Sequence, residues 1–139
     1  MHRILVLVFL LSVIGTKAQQ ECVLGVGGTD DETIAEVFQL NDEQKQNLRN
    51  WSAELKVRNE ILSNQAEFLL KQHEESSPEV LMTISKEYKT IMDSMKQNVR
   101  MMDKRLLSIF NPKQYNFYVK LCDQLTLRPI YINRSVDEK

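Results

Sequence analysis

Few residues of this chain are of a type and spacing that could do covalent or metal chemistry. Apart from His2 at the start, the one histidine is His73, followed by Glu74 and Glu75. One imidazole beside two acids is more often a polar turn than a metal site, which normally gathers three or four ligands. The run Gly25-Val26-Gly27-Gly28 lacks the Lys-Ser/Thr and the preceding strand of a phosphate loop, so it reads as a linker. Carboxylates are plentiful but fall on the solvated faces of predicted helices, and there is no nucleophile elbow and no Cys/His pair at metal spacing. The expectation is therefore no enzyme and no cofactor.

Two cysteines remain, Cys22 and Cys122. In an exported protein they can be kept as a disulfide, either within one chain, where the bridge closes a long loop, or between two chains. Five methionines, Met82, Met92, Met95, Met101 and Met102, crowd one predicted helix. Met95 and Met102 read as core filler, while Met92 and Met101 flank the apolar stripe, where flexible thioethers suit an adaptable binding surface.

The N-terminus reads as an export signal. A basic start, Met1-His2-Arg3, precedes the apolar run from Ile4 to Ile14, and Thr16-Lys17-Ala18 places small residues for a cut before Gln19. Removing 1–18 takes away Arg3 and Lys17, leaving 16 basic against 19 acidic residues, a net −3. That balance argues against nucleic-acid binding. No later segment is apolar enough to predict stable membrane insertion. Residues 19–29 read as a flexible N-terminal segment, 30–129 as a helical domain and 130–139 as an irregular tail. Asn133-Arg134-Ser135 fits a glycosylation sequon, which matters only in a eukaryotic source.

The elements around these residues are predicted to be helices, because no glycine follows Gly28 and tight hairpin turns have little to work with. A first short helix is expected from a Thr29/Glu32 capping box to about Gln39. A second starts at an Asn41/Gln44 box and runs to about His73, with Leu48, Leu55, Leu62 and Leu69 every seven residues, joined by Trp51, Ile61, Ala66 and Phe68. After Glu74-Glu75-Ser76-Ser77, Ser77 and Pro78 open a third helix carrying Leu81, Ile84, Tyr88, Ile91, Met95, Met102, Leu106 and Ile109. Two long helices joined by a short turn read as an antiparallel hairpin. A fourth helix starts at an Asn111/Gln114 box, with Phe110 expected to staple onto Tyr115, and ends near Gln124. The fold class expected is all-α.

The two capping boxes carry a resemblance. Leu40-Asn41-Asp42-Glu43-Gln44 and Phe110-Asn111-Pro112-Lys113-Gln114 flank the long hairpin and resemble the paired Leu-Thr-x-x-Gln motif of the Spy/CpxP family of periplasmic stress proteins. The strings from Leu40 to Arg49 and from Leu125 to Pro129 resemble its chaperone branch. Asn replaces Thr in both copies and Phe replaces Leu in the second; Asn caps as well as Thr.

The resemblance implies a thin, curved homodimer that holds unfolded or partly folded client proteins in the periplasm without ATP. It would use Lys45, Arg49, Lys56, Arg58 and Lys71 on the second helix and Lys96, Arg100, Lys104 and Arg105 on the third as basic contacts. The alternatives are an adaptor restraining a membrane stress-sensor kinase, a metal-responsive protein, against which the shortage of histidine counts, or a purely structural helical protein.

Overall fold

The computed structural model describes residues 19–132. The expected signal peptide, the sequon and the end of the tail lie outside them. The chain is all-α, with α1 at Asp31–Val37, α2 at Asp42–Gln72, α3 at Pro78–Ile109 and α4 at Pro112–Gln124.

Local chemistry explains the boundaries. At α2 and α4 the expected capping boxes form in full, Asn41 with Gln44 and Asn111 with Gln114. Pro78 occupies the first turn of α3, but the Ser77 side chain makes no cap bond. The Thr29 box at α1 does not form. Residues 25–28 form a turn closed by Gly28 N–H to Gly25 O at 3.0 Å, the chain keeps turning through residue 30, and the helix begins at Asp31 behind an Asp30 whose side chain makes no cap bond. The Asp31 carboxylate instead accepts from the Gly27 N–H and the Ser52 hydroxyl, tying the turn to α2.

Helices α1 and α4 end alike. Gln39 and Thr126 adopt left-handed φ of 49° and 56°. Leu40 N–H then reaches Ala35 O, and Leu127 N–H reaches Cys122 O, each at 2.9 Å. These are Schellman closures that satisfy end carbonyls without glycine.

Helices α2 and α3 pack antiparallel. Glu54 meets Arg105 at 2.6 Å and Asn59 meets Asn98 at 3.0 Å, so moving outward along α2 means moving backward along α3. Their seam buries Leu48, Leu55, Ala66 and Leu69 against Ile84, Met102, Leu106 and Leu107. Leu62 is half-buried, whereas Ile61 and Phe68, read as members of this stripe, are exposed. At 3.6 residues per turn each lies about 100° around α2 from its neighbour Leu62 or Leu69, on the flank of the seam and turned toward Val57.

The core sits at one end, here called the root. There Val26, Ile34, Phe38, Leu40, Phe110, Tyr118, Cys122 and Ile130 join Leu48, Leu55 and the inner end of α3. Met102, Leu106 and Leu107 are fully buried there, each contributing about 1.5–3 kcal/mol. Among the described residues, the outer halves of α2 and α3, the arm, pack only on each other.

The segment from Gln19 to Thr29, expected to be flexible, is packed into this root. Cys22 N–H donates to Arg128 O and Arg128 N–H to Gln20 O, both at 2.8 Å, so the segment pairs with the stretch that follows α4. Cys22 and Cys122 form an intramolecular disulfide with Cα atoms 5.7 Å apart.

Candidate functional site

Two arrangements stand out, one closed and one open. The closed one joins the two motif copies. Gln44 Nε2 donates to Gln114 Oε1 at 2.9 Å, and Gln114 Nε2 donates to Gln44 Oε1 at 3.0 Å. Each amide also donates to the carbonyl that ends the stretch before the other motif, Gln44 to Ile109 O at 2.9 Å and Gln114 to Phe38 O at 3.0 Å. Each Oε1 meanwhile accepts its own cap N–H, from Asn41 at 3.0 Å and from Asn111 at 2.9 Å. Two acceptor sites and two donors are thus filled on each buried side chain, the full capacity of an amide.

This reciprocity gives a reason for glutamine. A capping box by itself accepts Glu as readily as Gln. The clasp does not, because each side chain must both donate and accept, and two carboxylates would face each other without protons between them. Leu40 and Phe110, the apolar leads of the two copies, are buried beside it, and Phe110 lies on Phe38 with ring centroids 4.9 Å apart.

A second set of root contacts escaped the sequence reading. Asp103 is fully buried, and its carboxylate accepts N–H bonds from Leu24 at 2.7 Å, Gly25 at 3.1 Å and Val26 at 3.0 Å. Burial pushes this carboxyl above its ordinary range while the backbone donors pull it back. Its oxygens are occupied by backbone, so its role is to hold the segment. Gly25 and Gly27 supply the left-handed φ of 79° and 83° that bend it, and a Cβ on Gly27 would lie 2.6 Å from Leu55 Cδ2.

Tyr118 finishes the closure. Its hydroxyl donates to Cys22 O at 2.7 Å and accepts from Ile130 N–H at 2.9 Å, and burial raises its pKa to about 12. These partners are 77 to 96 residues from their counterparts in the N-terminal segment, beyond the reach of any local pattern. The one visible hint was an aspartate following Met102 beside the predicted apolar stripe.

The open arrangement is the arm. Among the described residues Val57, Ile61, Phe68, Leu70, Val80, Leu81 and Met82 are exposed, with Phe68 at 63% and Met82 at 66%. Two antiparallel helices have only one shared seam, so apolar residues elsewhere on them stay wet. Lys56, Glu60, Glu67 and Lys71, all exposed, alternate with them on α2.

The expected basic contacts divide. Lys56, Lys71, Lys96 and Lys104 are exposed; Lys45 is half-buried, and Arg49 is exposed but bonded to Gln46. The other three arginines are engaged within the fold. Arg100 grips Glu21 through Nε and Nη2 and holds that carboxyl below its usual range, while Glu54 is shared by Arg58 and Arg105. Arg58, Arg100 and Arg105 thus already have acidic neighbours within the fold, although their side chains stay 48%, 43% and 35% exposed and such surface pairs are weak.

Met92 and Met101 are half-buried, and Met101 packs on the core with its sulfur 4.0 Å from Arg105 Nη2. Among the described residues the most exposed methionine is Met82, near the start of α3. His73 Nδ1 lies 3.2 Å from the Ser76 hydroxyl, and no metal-holding cluster occurs among the described residues. No helix among them is long and apolar enough to cross a membrane.

No family profile matches the chain, and no curated protein or solved structure matches it; the Spy/CpxP resemblance rests on the motif residues themselves.

Proposed function

We propose that this protein is an exported, ATP-independent holdase of the periplasm that binds unfolded or partly folded proteins and limits their aggregation. One observation carries the reading. A chain able to complete two capping boxes, a reciprocal amide clasp and a disulfide at its root leaves large apolar side chains uncovered along its arm. Such side chains can take up the apolar segments that an unfolding protein exposes, and the charges between them attract the segment and keep the empty arm soluble. The paired motifs support the same reading through the family they resemble, which also implies a homodimer.

The test is light scattering of a heat- or reductant-unfolded protein as the purified chain is added without ATP. Dose-dependent suppression at near-stoichiometric ratio, absent with an equally acidic helical control, is expected. Unchanged scattering at several-fold excess overturns the reading. Binding to one receptor domain, with no effect on scattering, would favour the sensor-kinase adaptor.

A further inference from the structure

A cleft of about 810 Å³ opens beside the clasp, between the end of α1 and the first turns of α4. Its walls include Val37, Phe38 and Phe117, and among the described residues its only charged ones are Lys113 and Lys120. Lys113, Phe117 and Lys120 follow the i, i+4, i+7 spacing that puts them on one face of α4. We propose that this cleft binds a peptide segment of another protein in which a large apolar side chain is flanked by carboxylates.

Three features carry the proposal. Phe117 is 42% exposed, yet it is fixed edge-on against Phe38 at 5.7 Å, and Phe38 lies in turn on Phe110. The aromatic wall is therefore positioned before any ligand arrives, which lowers the ordering cost of binding. Both lysines are exposed and, among the described residues, neither has an ion-pair partner and no carboxylate lines the cleft. Lys113 also stands in the first turn of α4, where the macrodipole favours negative charge, so a bound carboxylate would answer both the lysine and the helix end. The volume falls in the range of sites that enclose a few side chains.

The site is separate from the arm and does not require the arm to hold clients. The experiment is fluorescence anisotropy of the purified chain with two labelled decapeptides at low ionic strength. They share Phe and Leu positions and differ only in having Glu or Lys as neighbours. The Glu peptide is expected to bind at least about tenfold tighter, with the preference shrinking as salt screens it.

Lys113→Glu with Lys120→Glu should reverse the order, and Lys113→Gln with Lys120→Gln should abolish the difference. Phe117→Ser should weaken the Glu peptide while the variant stays folded, with only a modest fall in melting temperature from the lost contact with Phe38. Equal affinities for the two peptides, or a Glu preference that survives charge reversal in a folded variant, would overturn the proposal. Failure of the wild-type chain to suppress aggregation overturns the holdase reading alone, because the peptide preference is read independently.

Discussion

Root and arm are built from the same two long helices, yet they meet opposite conditions. At the root, α2 and α3 are covered by α1, α4, the N-terminal segment and the tail, and Met102, Leu106 and Leu107 lose all contact with water. Farther out the same helices have only each other; Ala66, Leu69 and Ile84 are buried, while Ile61, Phe68 and Met82 remain in solvent. The difference teaches that stability and exposed apolar surface can be kept apart within one helix pair. A fold held at one end can carry an apolar surface at the other.

The largest expected effect comes from opening the root covalently. Cys22→Ala with Cys122→Ala frees a loop spanning 100 positions and should cost about 2–5 kcal/mol, read as a large fall in melting temperature. A change within 0.5 kcal/mol would show that the hydrogen bonds around the N-terminal segment suffice without it.

Next is Asp103→Ala, which removes the acceptor for three backbone N–H groups in the root. It should cost about 3 kcal/mol in urea denaturation, with Asp103→Asn intermediate because one acceptor oxygen stays. Equal stability of all three proteins would mean that this segment contributes little to the root.

The clasp gives a smaller and more diagnostic effect. Gln114→Glu preserves the capping box but removes the amide that donates to Phe38 O and Gln44 Oε1, so it should cost about 2 kcal/mol. If the site were only a cap, the substitution would be nearly neutral.

The smallest root effect is pH-dependent. Arg100 depresses the Glu21 carboxyl, so this pin contributes above the ordinary carboxylate range and is lost as pH falls through the lowered value. Asp103 has the opposite sign; its raised carboxyl favours the folded state as it takes up a proton. Melting at stepped acid pH should therefore show wild type losing more stability on acidification than Glu21→Gln, because the opposing Asp103 contribution is common to both. Identical acid profiles would contradict the pinning role of Glu21.

Much of this fold was legible because its signals are local. The Asn41/Gln44 and Asn111/Gln114 boxes, Pro78 and Pro112 at first turns and the heptad leucines of α2 each act within a few residues. The Thr29 box failed because the chain is still turning after the glycine turn of residues 25–28, and the helix starts only at Asp31. What was not legible is long-range. Nothing near Asp103 announces that residues 24–26 will bend onto it, and nothing in two capping boxes says their glutamines will meet. For the site, exposed lysines could be named from the sequence, but whether an arginine is free depends on partners such as Glu21 and Glu54. Ile61 and Phe68 were placed in the buried stripe because a heptad count does not say how wide a seam two helices can cover.

The most direct test of the division between root and arm is aggregation suppression by a variant carrying Ile61→Ser, Phe68→Ser and Met82→Ser, measured by light scattering beside wild type. Since these side chains are exposed, its melting temperature should match wild type within the change expected for about 0.5 kcal/mol per site. The account predicts that wild type suppresses scattering and that the folded variant loses most of that suppression. A variant that suppresses as well as wild type would contradict the assignment of client binding to the arm.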